Sequence, residues 1–162
     1  MNHSDPTSKT SPATTQQVRF SRRVLRVLAV VVCALWWGGL TFYAVVVVPL
    51  GTDLFGSVKQ GFLTQQVTVW LNVFGTLTAA VLVAEAVCST SRRKRLLTAS
   101  LFSVLQASLW IMHARLSHLM DSSTLSVADD AGFYGEHRIY LCLTTAQWLI
   151  ALWHVWVGCR DS

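Results

Sequence analysis

Three histidines in the second half of the chain carry the side chains best suited to bind a metal ion: His113, His118 and His137. Imidazole nitrogens ligate zinc, copper and haem iron, so a transition metal or a haem b held by two histidines is the chemistry to consider. A spacing of five residues places His113 and His118 about 140° apart on a helix, which suits a shared metal poorly. The spacing therefore leaves His118 and His137 as the candidate metal ligands.

Two arginines accompany these histidines, and together they form a candidate outer site. Arg115 lies between the first two histidines, and Arg138 directly follows the third. Surface ion pairs with nearby carboxylates explain both arginines structurally. A bound anion or lipid headgroup is the functional alternative. The acids available for pairing are Asp121, Asp129, Asp130 and Glu136.

Recognisable catalytic motifs are absent from the chain. It contains no HExxH or CxxCH motif, phosphate-binding loop, nucleophile elbow, kinase signature or dinucleotide signature. The four cysteines form no CxxC pair, and we interpret them as small apolar packing residues. We therefore expect no catalytic residue and no cofactor, with a haem b or transition metal as the alternative.

The composition indicates membrane-spanning helices. Hydrophobic residues make up 52% of the 162 residues and charged residues only 13%, against roughly a quarter in soluble domains. Uncharged apolar runs occupy residues 27–50, 62–84, 96–112 and 139–158, and a spanning helix needs about 20 residues. These runs lack the charged faces of soluble helices. We predict an all-α, four-helix transmembrane bundle within residues 22–158, with helices at about 22–48, 62–87, 96–119 and 136–157.

The distribution of basic residues predicts the orientation of this bundle. Ten of the thirteen lysines and arginines fall on one side if all four runs span the membrane. Basic residues concentrate on the cytoplasmic side, so both termini should be cytoplasmic, in a bacterial-type plasma membrane. Residues 1–18, rich in Ser, Thr and Pro, should form a disordered cytoplasmic tail. The net charge of +5 therefore reflects topology, and we expect no nucleic-acid partner.

Polar residues within the four runs should face the bundle interior, because lipid offers them no hydrogen-bond partner. We expect one polar layer near the middle of the membrane. Thr144 lies on the same stripe of the fourth helix as Gln147. The candidate polar interior comprises Thr41, Asn72, Gln106, Thr144 and Gln147.

The first helix should pack through small residues and end at a proline. Its small-residue stripe consists of Ala34, Gly38, Thr41 and Val45, and such stripes allow membrane helices to approach closely. Pro49 should end the helix, and the following glycines should form a short outer turn.

Glu85 is the one acidic residue near the inner end of the second helix, about two turns before the RRKR run at residues 92–95. We interpret it as an interfacial carboxylate neutralised by those arginines. A proton or cation relay is the functional alternative.

Two stretches carry a family resemblance. The first helix contains an aromatic residue, a Gly-Gly pair, an aromatic, an aliphatic run, a proline and a phenylalanine, and Phe133 precedes His137 by four residues. This pattern resembles the transmembrane-protein-205-like family, small four-helix membrane proteins largely of unknown function. Tyr140 and Thr144 stand where that family usually has Ser and Asn. The resemblance implies the four-helix topology and no particular activity. The matching residues of the first helix are Trp37, Gly38, Gly39, Phe42, Pro49 and Phe55.

These observations predict a small polytopic membrane protein that works without catalysis, as a transporter-like or accessory subunit. Four helices enclose little space, so a pathway would require a homo-oligomer or a larger membrane complex. The alternative is a haem- or metal-binding redox protein that uses the histidines at the outer ends of helices three and four.

Overall fold

The computed structural model describes the backbone at residues 12–89, 91–121, 126–127 and 130–160, and the side chains at residues 22–89, 91–120 and 132–160. The chain is all-α, as predicted, apart from one pair of two-residue strands in the described part of the loop before the last helix. The helices are α1 (Pro12–Phe42), a π-helical segment (Tyr43–Val47), α2 (Val48–Phe55), α3 (Ser57–Cys88), α4 (Arg92–His118) and α5 (Asp130–Arg160). The antiparallel strands are β1 (Met120–Asp121) and β2 (Ser126–Val127).

Four helices are long and apolar enough to cross a membrane, which confirms this part of the prediction. The first combines most of α1 with the π-helical segment and α2. The candidate spans are Arg22–Phe55, Ser57–Cys88, Arg92–His118 and Gly132–Arg160.

All four helices begin before the predicted limits, and three of them also end later, while α4 ends at His118, one residue before its predicted end. The first begins at Pro12, so residues 12–18 of the predicted tail are helical, while residues 1–11 lie outside the described part. Proline is favoured in the first turn of a helix because its missing N–H needs no partner there. A helix can continue through polar residues. The ends of an apolar run therefore do not predict where the helix itself begins and ends.

The predicted helix end at Pro49 is wrong, because the helix continues to Phe55. The segment before Pro49 is π-helical, and the N–H of Val48 bonds to the carbonyl of Tyr43, five residues back. This shift in hydrogen-bond register accommodates a proline, which cannot donate to the helical ladder. The break comes at Gly56, whose φ of 79° suits glycine.

Successive long helices pack antiparallel. Tyr43 of the first span donates to Thr64 Oγ1 of α3 (2.8 Å), and Gln106 of α4 donates to the Asn72 carbonyl of α3 (3.1 Å). Gln147 of α5 donates to Gln106 Oε1 (2.9 Å). The first and last helices also meet, where Trp37 stacks on Trp148 with ring centroids 4.8 Å apart. One end of the bundle therefore holds the ends of α3 and α5 and the start of α4.

We call this end the basic end, because exposed cationic side chains surround it. Arg160 lies over the Trp156 ring, with 4.6 Å between the guanidinium carbon and the ring centroid. The exposed cations are Arg22, Arg23, Arg92, Arg93, Lys94 and Arg160.

Large apolar side chains lie on the outside of the helices, and polar side chains lie in the interior. Large apolar residues are exposed along every long helix, for example Leu35 (71%), Trp70 (66%) and Val104 (63%). The interior instead contains buried amide, hydroxyl and charged groups. Many hydroxyls bond to the carbonyl one turn back, as Thr78 does to Phe74 (2.9 Å), which satisfies them without water.

Most of the predicted small-residue stripe of the first helix does not pack against other helices. Thr41 bonds to Trp148 of α5, but Ala34, Gly38 and Val45 are exposed, and a Cβ atom on Gly38 would meet nothing within 4 Å. The helix turns Ala29, Cys33 and Trp36 inward instead. Burying an indole removes more surface than burying glycines, and Trp36 packs edge-to-face on Phe102 with ring centroids 5.2 Å apart.

Candidate functional site

Three helices bring ionisable side chains together near the basic end of the bundle. Glu85 lies one turn before the end of α3, and Arg95 lies one turn after the start of α4. His154 lies six residues before the end of α5, a depth of about 9 Å along the helix. Thr98 of α4 completes the group. We call these four residues the basic-end cluster: Glu85, Arg95, Thr98 and His154.

Every member of the basic-end cluster is buried. The exposed fractions are 4% for Glu85, 2% for Arg95, 1% for Thr98 and 3% for His154. Arg95 donates from Nη1 to Glu85 Oε1 in a buried ion pair. Removing two opposite charges from water is costly, and close pairing with hydrogen bonds is what offsets that cost.

His154 lies between the hydroxyl of Thr98 and the carboxylate of Glu85. Its Nδ1 is 2.7 Å from Thr98 Oγ1, a hydrogen-bond distance. Its Nε2 is 3.6 Å from Glu85 Oε2, too long for a hydrogen bond. Gly158, one turn further along α5, makes room for Arg95, because a Cβ there would lie 2.9 Å from Arg95 Nη2.

Hydroxyl, imidazole and carboxylate in this order resemble a nucleophile–base–acid triad. Nucleophilic attack, however, requires a substrate carbonyl to reach the hydroxyl. Thr98 is 1% exposed within α4, and its hydroxyl also lies 3.1 Å from the carbonyl of Arg95. The arrangement therefore suits the holding and transfer of a proton better than covalent catalysis.

A second polar group, the amide layer, lies in the middle of the bundle and consists of Asn72, Gln106 and Gln147. Gln106 Nε2 donates to the carbonyl of Asn72 (3.1 Å) and to its Oδ1 (3.3 Å). Gln147 Nε2 donates to Gln106 Oε1 (2.9 Å). All three side chains are at most 4% exposed. The layer thus joins three helices through amide hydrogen bonds.

Thr41 and Thr144, also predicted for the polar interior, have hydrogen bonds outside the amide layer. Thr41 accepts a hydrogen bond from Trp148 Nε1 (3.0 Å) and donates to the carbonyl of Trp37 (2.8 Å). Thr144 donates to the carbonyl of Tyr140 in its own helix (2.9 Å). The structure therefore brings together three of the five predicted interior residues.

The predicted outer site is spread over the ends of α4 and α5. His113 is half-buried, with Nδ1 3.4 Å from Thr68 Oγ1. His137 is half-buried and stacks on Phe133, with ring centroids 5.9 Å apart. His118 is exposed at the end of α4.

The two arginines of the outer site are both exposed. Arg115 pairs with Glu136 (2.5 Å), while Arg138 forms no ion pair with the described residues. Within the described part of the chain, no three His, Cys, Asp or Glu residues are grouped to hold a metal ion. A site at His118 and His137 stays a prediction.

The sequence predicts that the arginines of residues 92–95 neutralise Glu85, and Arg95 does pair with it, although in a buried rather than an interfacial position. It does not single out Arg95 within that run, and it does not link His154 or Thr98 to Glu85. Glu85 and Arg95, however, stand five residues on either side of residue 90, so an antiparallel hairpin turning there places them face to face. That symmetry was the available signal.

Comparison with known proteins gives no match to this chain among family models, curated proteins or solved structures. The resemblance of the first helix to the transmembrane-protein-205-like family stays a prediction.

Proposed function

We propose that this chain is an integral membrane protein with both termini in the cytoplasm, in a bacterial-type plasma membrane. An apolar exterior supports insertion, since such a surface in water would be an aggregation hazard. The exposed cations of the basic end support the orientation, because basic residues concentrate on the cytoplasmic side.

Reporter fusions test this orientation. A fluorescent reporter fused in the turn between α3 and α4, or at the C-terminus, should be active in the cytoplasm. An alkaline-phosphatase reporter inserted at Gly56 should be active outside it. Phosphatase activity from the α3–α4 turn would overturn the proposed orientation.

Within the membrane, the protein works through its polar interior as a transporter-like or accessory subunit and catalyses no reaction. The buried group of Glu85, Arg95 and His154 carries this proposal. Charged residues inside membrane proteins are costly, and they typically mark ion pathways or proton relays. Stability alone gives little reason for a buried ion pair, because apolar residues of similar volume often stabilise a protein as well or better.

Assembly is part of this proposal, since a single bundle of four helices encloses little space for a pathway. The partners are the lipid bilayer and either further copies of this chain or a larger membrane complex. Native mass measurements on protein extracted in lipid nanodiscs test this, because the single chain has a mass of 18.0 kDa.

Ion flux into liposomes tests the transporter form. Liposomes carrying the full-length protein and an internal pH-sensitive dye should dissipate a proton or monovalent-cation gradient, and Glu85→Gln should slow this. Glu136→Gln is the matched control, because it removes a carboxylate that pairs with the exposed Arg115. Flux unaffected by Glu85→Gln would contradict a pathway through the basic-end cluster. No flux together with a monomeric native mass would contradict both forms of the proposal.

A further inference from the structure

The hydrogen bonds of Thr98 decide which nitrogen of His154 carries a proton. Thr98 Oγ1 lies 3.1 Å from the carbonyl of Arg95 and 2.7 Å from His154 Nδ1. A hydroxyl has one proton to donate, and a helical threonine commonly donates it to a carbonyl one turn back. Thr98 then accepts from His154, so Nδ1 carries the imidazole proton.

A neutral imidazole protonated on Nδ1 has a bare lone pair on Nε2. That atom faces Glu85 Oε2 at 3.6 Å. Both atoms are buried, and neither has a hydrogen-bond partner among the described residues. Two acceptors facing each other across this gap repel, whereas one added proton would join them in a charge-assisted hydrogen bond of about 2.7–2.9 Å.

We infer that the gap between Glu85 Oε2 and His154 Nε2 is a binding site for one proton, which fastens α5 to α3 when it is occupied. Hydronium at the basic end supplies the proton: one of its O–H bonds breaks, an N–H bond forms on Nε2, and a water molecule is left behind. The cluster passes from a neutral state, with one carboxylate and one guanidinium, to a net charge of +1.

The surroundings of the gap are suited to this change. Arg95 of α4 holds the other carboxylate oxygen, which keeps Glu85 ionised and in place. The ends of α3 and α5 lie nearby, and helix C-termini favour positive charge. The first helix contributes the buried thiol of Cys33 and apolar Ala29 to the adjoining core, with half-buried Arg26 one turn nearer the basic end.

Access is short from the basic end. Glu85 and Arg95 lie within about 5 Å of their helix ends along the helix axes. A proton therefore has to pass about one helical turn. The inference rests on the proposal that this interior is functional, and it names H⁺ as the ligand.

Nitrogen NMR of ¹⁵N-histidine-labelled full-length protein in lipid nanodiscs tests the site between pH 8 and pH 4. The signal absent from His154→Gln identifies His154. At pH 8 it should show a protonated Nδ1 and a bare Nε2, and on acidification both nitrogens should become protonated. Glu85→Gln should move this change about one pH unit or more towards acid, because it removes a facing carboxylate. His137→Gln should leave it unchanged.

Three results would overturn the proton site. They are a protonated Nε2 at pH 8, a His154 that stays neutral down to pH 4, and a Glu85→Gln titration identical to wild type. If Glu85→Gln does not fold, the tautomer and the titration of His154 in the wild-type protein still test the proton site. A site that binds a proton in liposomes without ion flux would contradict the transporter form alone, so failures of the two proposals are distinguishable.

Discussion

Glu85 and Arg95 form an ion pair across the α3–α4 hairpin with side chains 5% and 2% exposed, respectively. The pair between Arg115 and Glu136 has the same chemistry, but its arginine side chain is 62% exposed. The two pairs differ chiefly in their access to solvent, so comparing them isolates the effect of burial.

Breaking the buried pair should cost far more stability than breaking the exposed one. Glu85→Gln leaves a buried guanidinium without its counter-charge and should lower the free energy of unfolding by about 3–5 kcal/mol. Arg115→Gln should cost about 0–1 kcal/mol. Denaturant unfolding in detergent micelles measures both. Equal losses from the two variants would contradict a tightly coupled buried pair.

The double variant Glu85→Gln/Arg95→Met separates pairing from packing. It removes both charges, so it should recover a large part of the stability that Glu85→Gln loses. A double variant no more stable than Glu85→Gln would show that the loss comes from packing around position 85.

Gly75 of α3 should resist substitution, because it gives room to the amide layer. A Cβ atom there would overlap the amide of Gln106 and lie 3.0 Å from Trp36 Nε1. Gly75→Ala should therefore cost about 1–3 kcal/mol of unfolding free energy. Gly39→Ala is the control, since a Cβ at Gly39 meets nothing within 4 Å. Thermal unfolding of the two variants checks this, and a tolerated Gly75→Ala would contradict the close approach.

The helices were predictable because one physical requirement dominates them. About 20 consecutive apolar residues admit few structures in lipid other than a helix. The helix ends were less predictable, since the partly polar segments 12–18 and 57–61 continue a helix although they lie outside the apolar runs. The helix continues past Pro49 for a different reason: the π-helical segment before it shifts the hydrogen-bond register, and the position of the proline alone does not predict that shift.

The interior was predictable in part. Asn72, Gln106 and Gln147 are amides within apolar runs, and such groups must find partners inside the bundle. The position of Thr144 on the helix could not show that it lies outside the amide layer. The side-chain rotamer decides whether its hydroxyl bonds to its own helix or to another one, and the sequence does not predict that rotamer. The sequence could not show that Arg95 is buried, because it directly follows three other cations at 92–94. Only the geometry of the hairpin distinguishes it from them.

Gln147 should stabilise the bundle through its bond to Gln106. Gln147→Leu leaves Gln106 Oε1 without this donor, and an unpaired buried acceptor costs about 1–3 kcal/mol. Thr145→Val is the neighbouring control, because the exposed Thr145 bonds only to its own helix, at the Leu141 carbonyl (2.9 Å), in the described structure. It should change stability by less than about 0.5 kcal/mol. Unfolding in detergent compares them, and a neutral Gln147→Leu would contradict a stabilising amide layer.

The redox alternative predicts a bound haem or metal at His118 and His137, and we expect neither. An axial histidine needs a pocket that fixes its ring against the iron. His118 is exposed at a helix end, where solvent surrounds its ring. Purified protein should therefore show no Soret band and no stoichiometric metal by elemental analysis. If either is found, His118→Ala and His137→Ala should each abolish it, while His154→Ala at the opposite end should retain it. If the Soret band or the bound metal were lost only in His154→Ala, the redox site would lie in the basic-end cluster. That result would refute the assignment to the ends of α4 and α5 that carry His118 and His137.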